Sequence, residues 1–520
     1  MKLRPYQQEG FKEITDILDT TGQPVMFVLA TGGGKTVTFM QVIKHYLERG
    51  KRVLMMAHRQ ELIIQAYKTF LRNGIYSGII KADFPLRPEM RCQIGSIQTM
   101  IRRKLPPTDV IIVDEGHHVT DDNSYGKIFQ QYPDAKVLMV TATPVRQDKK
   151  GFTEVVEGKK TKLIVNRTTK QLIDEGYLVP FKYFIASLPN LDKVKVVRGD
   201  YDNEEAYEAM KLVPVVDSYL RSCRGLKGIV YAVNIKHSQQ IAAEFVKKGV
   251  AAVHLDQSTP NDIRNRILKL FRTGDIEVVV NVGILTEGAD FPDCQFVQIA
   301  CPTKSLSKYL QMAGRVTRPC ITPDQYESAA ERRESIQQSS KPCGIVLDNA
   351  KCWKEHGFPD QDFVWEHYFK GEKPRTVPTD MIEIYEIEDP ETGKRKKTKS
   401  LKETEGSILV EVTYEDRVKL NKNRKNYLTE FNRAYFLAKQ LKHVKKKGFF
   451  VWLQMKDLLL KREIEPSEEL FALVQRKLIT EIQEDAEKTG YRPIDNPFKI
   501  PTYYLEKEIN LVLQTLKNNS

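Results

Sequence analysis

The sequence contains no two cysteines at Cys-x-x-Cys spacing. Its seven cysteines, Cys92, Cys223, Cys294, Cys301, Cys320, Cys343 and Cys352, are scattered. Neither a zinc ribbon nor a dithiol redox motif is supported, and the odd number with wide spacing suits a reducing compartment. No apolar run approaches the roughly 18 residues that a membrane span needs. The N-terminal MKLRPYQQEG lacks the apolar core of a secretory signal. The expectation is a cytoplasmic protein without a membrane segment. Tandem repeats and long low-complexity tracts are also missing, which excludes a repeat architecture. An acidic excess is missing too: Lys plus Arg exceed Asp plus Glu by 81 − 68 = 13, and the pI is near 9.1. A basic excess attracts polyanions through its long-range field and through counterion release. Nucleic acid is therefore a candidate partner, set against the plainer alternative of a solvated basic surface.

What the chain does contain is a rhythm. At 520 residues it has room for two to four domains with large cores. From residue 25 to about 145, short apolar runs alternate with amphipathic stretches. Val25-Met26-Phe27-Val28-Leu29 is one run, followed by a helical pattern from Thr36 to Glu48. Val53 to Ala57, Val110 to Val113 and Val137 to Val140 are others. Continuous apolar runs separated by helices predict parallel strands covered on both faces. The rhythm restarts after about residue 214, with runs at Gly228–Ala232, Val253–Leu255, Glu277–Val280, Phe296–Ala300 and Gly344–Leu347. The fold class is therefore α/β, with two parallel-sheet lobes in tandem. The expected organisation is a first lobe at 1–180, a connection at 181–213 and a second lobe at 214–366. A charged linker at 367–414 and a basic, mostly helical domain at 415–520 follow.

Three groups of residues carry chemistry. Ala30-Thr31-Gly32-Gly33-Gly34-Lys35-Thr36 lies between an apolar run and a helical pattern. Glycines let backbone N–H groups turn inward around phosphate oxygens, and a helix N-terminus adds partial positive charge. Lys35 would reach the β and γ phosphates of a nucleotide, and Thr36 would hold Mg²⁺. Leu29 stands where the strict pattern wants glycine. Asp114-Glu115-Gly116-His117 follows the run Val110 to Val113. A strand end delivers carboxylates to the crevice of an open sheet. Asp114 would bind Mg²⁺, and Glu115 would orient and deprotonate the attacking water. Gln311-Met312-Ala313-Gly314-Arg315-Val316-Thr317-Arg318 is the third group. Arg315 and Arg318, three apart, would share one face of a helix and stabilise charge on a transferring phosphoryl group.

Together, in this order, these groups resemble the helicase motifs of superfamily 2. Arg4-Pro5-Tyr6-Gln7 resembles the adenine-reading element, ATGGGKT motif I, and DEGH a variant of the DEAH or DECH box. Ala57 to Leu62 (AHRQEL) resembles motif Ia, Ser96-Ile97-Gln98-Thr99 motif Ib, and Thr141-Ala142-Thr143 motif III. Thr286-Glu287-Gly288-Ala289-Asp290 resembles motif V, and QMAGRVTR motif VI. The stretch from Val280 to Pro292, Val346-Leu347-Asp348-Asn349 and His356-Gly357-Phe358-Pro359 extend the likeness toward the RadD-like branch, akin to XPB-type helicases, over about 1–366. Residues about 320–342 look like an insertion before the last strand of the second lobe.

The resemblance implies two RecA-like lobes that share one ATP site. It implies that Arg4 and Gln7 read adenine, and that Gly32, Gly33, Gly34, Lys35 and Thr36 bind the phosphates and Mg²⁺. Gly288 and Asp290 would contact the nucleotide region, and Arg315 and Arg318 would complete it. His58, Arg59, Gln98 and Thr99 would contact a strand backbone, although His58 could bond within its own loop and Thr99 could cap a helix. ATP-dependent movement on DNA in replication, recombination or repair is the function implied, with single-stranded, duplex or branched DNA as partner. RNA remodelling, a restriction or defence motor, and a non-catalytic nucleic-acid scaffold are the alternatives. In the last third, the basic Lys439 to Lys447 precedes Gly448-Phe449-Phe450-Val451-Trp452. That pattern suits either strand gripping or a helical core with solvated lysines.

Overall fold

The computed structural model describes residues 3–372, apart from 58–59, 82–83, 121–123, 147, 149, 157, 188, 286–290 and 362. It also describes 385–388, 395–398 and 410–412. The chain divides into a unit of residues 1–412, which holds both lobes, and a second unit of residues 413–520. The expected C-terminal helical domain lies outside the described residues.

The first lobe carries β1 (Val25–Leu29), β2 (Val53–Ala57), β3 (Ser77–Ile80), β4 (Cys92–Ser96), β5 (Val110–Asp114), β6 (Lys136–Thr141) and β7 (Lys162–Arg167). They form one sheet in the order β3-β4-β2-β5-β6-β1-β7, parallel throughout. Every residue of β1 and β2 is buried, which is why these strands read as unbroken apolar runs rather than as alternation. Helices Pro5–Thr20 and Lys35–Glu48 pack on each other, and Ile14, Leu18, Phe39 and Ile43 join Phe27 and Val140 in the core.

The second lobe begins with β8 (Phe181–Ile185). Next comes a hairpin of β9 (Val196–Val197) and β10 (Asp200–Tyr201), then helices Asn203–Met210 and Val215–Ser222. The sheet continues with β11 (Gly228–Ala232), β12 (Ala252–Leu255), β13 (Val278–Asn281), β14 (Phe296–Ala300) and β15 (Gly344–Asp348). A separate hairpin pairs β16 (Tyr385–Glu388) with β17 (Arg395–Thr398), and β18 (Val410–Val412) follows. The sheet order is β12-β13-β11-β14-β15-β8-β18, parallel except for β18, which runs antiparallel to β8. Two regions therefore differ from the sequence reading. Residues 181–185, read as connection, form a strand inside the second sheet, its buried Phe181, Tyr183 and Ile185 alternating with more exposed neighbours. The stretch read as linker contributes an edge strand to the same sheet. Among the described residues, no helix is long and apolar enough to cross a membrane.

Candidate active site between the lobes

β1 ends at Leu29, and the chain turns through Gly32, Gly33 and Gly34 into the helix Lys35–Glu48. Gly32 and Gly34 have φ of 85° and 86°, in the left-handed region open to glycine at little cost. Gly33 is needed for closeness: a Cβ there would lie 2.8 Å from the Leu29 side chain and 2.9 Å from Leu172 Cδ1. Leu29 is thus the floor of the loop, in the place where the strict motif wants glycine.

β5 delivers Asp114 and Glu115 beside that loop. Glu115 adopts φ 53°, strained for a residue with a Cβ. Two bonds hold it there: its N–H donates to Asp114 Oδ1 at 3.0 Å, and its carbonyl accepts from the His118 N–H at 3.0 Å. Gly116 then permits a tight pass over β6, since a Cβ there would lie 2.8 Å from Met139 Cβ.

From the second lobe, helix Leu306–Ala313 points its C-terminal end at the same place. The α-helix expected to carry both arginines stops at Ala313, and a 3₁₀ turn, Gly314–Val316, replaces it. Arg318 lies beyond the turn. At the turn, Gly314 approaches Thr31 so closely that a Cβ would lie 2.8 Å from Thr31 Cγ2, and the Thr317 hydroxyl donates to the Gly314 carbonyl at 2.8 Å. Arg315 hydrogen-bonds the Tyr231 hydroxyl, which donates to the Leu285 carbonyl at 3.2 Å.

The result is one cleft. Gly32, Gly34, Lys35, Thr36, Asp114 and Glu115 line it from the first lobe, and Gln311, Arg315 and Arg318 from the second. Burial pushes the Lys35 amine below its ordinary pKa; Glu115 and Asp114 oppose that, while Arg315 and Arg318 add to it. Three cationic side chains against two carboxylates make a site suited to a polyanion with a hard cation. A threonine hydroxyl and a carboxylate are the oxygen donors that Mg²⁺ accepts, usually with few protein ligands.

A second set of contacts involves residues outside the sequence motifs' assigned roles. His117 Nδ1 lies 3.0 Å from Thr141 Oγ1 and 3.3 Å from Glu115 Oε2. Its Nε2 lies 3.4 Å from Ser307 Oγ, and Ser307 Oγ lies 2.7 Å from Thr143 Oγ1. The Gln311 amide donates to Glu115 Oε2 at 3.4 Å. Ser307 thus ties the end of β6 to the second lobe. It sits four residues before the QMAGRVTR motif, and nothing in its local sequence marks it.

Gln7 is buried; its Nε2 donates to the Gly33 carbonyl at 3.0 Å and its Oε1 accepts from the Arg4 N–H at 3.0 Å. Arg4 grips Asp324 through Nε at 2.7 Å and through a terminal nitrogen at 3.1 Å. Both flank the phosphate loop and neither lines the cleft. Gln98 is exposed on the short helix Ile97–Met100, and Thr99 accepts a hydrogen bond from the capping Ser96 hydroxyl at 3.0 Å. His58, Arg59, Gly288 and Asp290 lie outside the described residues.

The sequence and the two-lobed fold are similar to those of known proteins. Residues 1–146 match the family model for the type III restriction enzyme res subunit, and residues 211–320 match the helicase conserved C-terminal domain. A 51.5 kDa protein of a Lactococcus phage is 34% identical over 345 residues, 65% of this chain and 68% of that protein. The candidate ATP-dependent helicase IRC3 of Saccharomyces cerevisiae is 28% identical over 347 residues, 61% of this chain. This chain spans only 49% of that yeast relative. Among solved structures, a fragment of a candidate HsdR subunit of a type I restriction enzyme from Vibrio vulnificus YJ016 aligns with a TM-score of 0.50 at 20% identity. That alignment covers 72% of this chain and 67% of the fragment, and it shows the shared two-lobed fold.

Proposed function

The chain belongs to the superfamily 2 helicases, ATP-using motors of nucleic acid, and from that premise we propose that it is a DNA-directed helicase or translocase of the RadD-like branch, acting in replication, recombination or repair. The observation that carries the catalytic part is the cleft in which Lys35, Thr36, Asp114 and Glu115 of one lobe face Gln311, Arg315 and Arg318 of the other. Lys35 and the N–H groups of Gly32 to Gly34 bind the phosphates of ATP. Thr36 and Asp114 would hold Mg²⁺, which would supply charge neutralisation at the phosphates. Glu115 takes a proton from water as the water oxygen bonds to the γ-phosphorus and ADP leaves. Arg315 and Arg318 stabilise the charge of that transition state. By the family resemblance, Arg4 and Gln7 would read adenine, Gly288 and Asp290 would contact the nucleotide region, and His58, Arg59, Gln98 and Thr99 would contact the strand backbone. Because the site is split, ATP binds the closed form more tightly than the open one, and that difference drives movement.

DNA rather than RNA is supported by the restriction-enzyme description of the family model over residues 1–146, while the basic excess suits either polyanion. Turnover measured with single-stranded, duplex and forked DNA and with RNA tests this. Stimulation by RNA alone would refute it. The same family description favours a second reading, the motor of a restriction or defence assembly with a separate nuclease partner. Strand separation by the purified chain alone, with no gain from a partner, counts against that reading.

A further inference from the structure

The segment between motif VI and β15, expected only as an insertion, reaches back to the first lobe. Its helix Ala329–Gln338 lies against the loop that follows helix Thr169–Asp174. The contact is close: a Cβ on Gly176, whose φ is +74°, would lie 2.6 Å from Arg332 Cβ and 3.1 Å from the Arg333 nitrogen. Arg332 is buried, donates to the Glu175 carbonyl at 2.8 Å, and also binds the carbonyls of Tyr326 and Glu327 at 3.1 Å each. Arg333 donates to the Asp174 carbonyl. The Asp174 and Glu175 carbonyls end a helix, where unpaired oxygens carry partial negative charge and welcome cations. Further along the same segment, Asp324 takes Arg4 as a two-pronged ion pair. Tyr177 lies under an arginine from each lobe, with Arg4 at 4.8 Å and Arg332 at 4.3 Å from its ring centre.

The helix Thr169–Asp174 and the gripped loop after it also support the phosphate site. Leu172 touches the position of Gly33, and Leu178 lies 2.8 Å from where a Cβ of Gly32 would stand. A second line runs from Arg4 to the Tyr6 hydroxyl at 3.1 Å and on to the Gly33 carbonyl at 2.8 Å. Just beyond, the Val179 N–H donates to the Thr317 carbonyl at 2.8 Å, beside Arg318. The segment holds the two halves of the cleft together from outside it.

We infer that residues 320–341 form a latch from the second lobe onto the first, and that Asp324, Arg332 and Arg333 are positioning residues that keep the ATP cleft closed before nucleotide arrives. The inference rests on the reading of that cleft as the ATP site. A latch of this kind sets the fraction of molecules ready to bind, and apparent affinity scales with that fraction. Losing it raises KM for ATP, while saturating ATP closes the cleft again and leaves kcat nearly unchanged. A general loss of folded enzyme does the reverse, lowering kcat at constant KM.

The experiment uses the full chain as Arg332→Met and as the double variant Asp324→Ala with Arg333→Ala. The double variant changes only exposed side chains, so it remains folded if the buried change does not. Steady-state ATP turnover is measured alongside hydrogen exchange of the 174–180 amides without nucleotide. The expected result is a KM raised about tenfold in Arg332→Met and a few-fold in the double variant, with kcat within about twofold. Faster exchange at Val179 accompanies it. Unchanged exchange in both variants overturns the latch, as does unchanged KM in an otherwise active enzyme. A wild type without ATP turnover speaks against the ATP site, and the exchange of Val179 still decides the latch.

Discussion

At the scale of single residues, the proposed roles divide the cleft into ground-state and transition-state groups. Lys35 sits in the phosphate loop, whereas Glu115 stands at a strained turn beside it. Lys35→Ala is expected to abolish hydrolysis and to leave nucleic-acid binding largely intact, as read by turnover and by strand affinity. Glu115→Gln is expected to bind ATP and turn over slowly, because the amide keeps the shape but cannot accept the proton. Arg315→Ala or Arg318→Ala lowers turnover far more than ATP affinity, by about 10³-fold or more if these arginines act in the transition state. Single-turnover rates set against nucleotide affinity check this, and equal small losses in both would make the arginines structural. A pH effect belongs here too. His237 is buried and accepts a hydrogen bond from the Val233 N–H at 3.4 Å, and burial lowers its pKa to about 4. The unfolded chain binds this proton near pH 6.5, so stability is full above that pH and falls as pH drops toward 4. About 3 kcal/mol is at stake at the foot of that window. Urea unfolding of the second lobe at pH 7 and pH 5 measures the loss, and His237→Gln makes the difference smaller, with His356, whose pKa burial also lowers, contributing in the same direction.

At the scale of elements, legibility follows locality. The phosphate loop can be read because strand, glycines, Lys35 and helix are contiguous. Asp114 and Glu115 can be read because they end an apolar run. The helical pairing of Arg315 with Arg318 is a local inference that misses the change from α-helix to 3₁₀ turn at Gly314, although both arginines still line one cleft. β8 escapes notice because Phe181, Tyr183 and Ile185 sit at the edge of a polar stretch and find their partner strand 163 residues away, with Phe181 opposite Gly344. Ser307 and Arg332 leave no local signal for their contacts across the lobes, since His117, Thr143 and Glu175 are distant in sequence. Packing between elements also explains the variant motif at Gly116. Gly116→Ala puts a methyl group 2.8 Å from Met139 Cβ and 3.3 Å from the Met139 backbone in β6, where little can give. Overpacking of that kind costs about 1–3 kcal/mol, and the first lobe's unfolding transition is where it registers.

At the scale of the whole molecule, the motor is one unit through residue 412, because β18 completes the edge of the second sheet beside β8. A truncation intended to leave both lobes whole must therefore end after Val412. The sequence beyond that point is dense in Lys and Arg between 417 and 462, including Lys442, Lys445, Lys446 and Lys447. We expect it to strengthen DNA binding and to couple DNA to turnover. For duplex DNA, each phosphate neutralised by the protein steepens the dependence of log affinity on log salt by roughly 0.9. A chain ending at residue 412 is expected to bind DNA more weakly and with a flatter slope, while both lobes stay folded and basal ATP turnover persists. Stimulation of turnover by DNA should fall in parallel. Affinities are compared across a salt series for the full chain and the truncation. The difference in slope divided by about 0.9 gives the number of phosphates that the region neutralises. An unchanged slope with unchanged stimulation would assign the region to a protein partner or to a structural role. Collapse of the truncated chain would show that the lobes need it to fold.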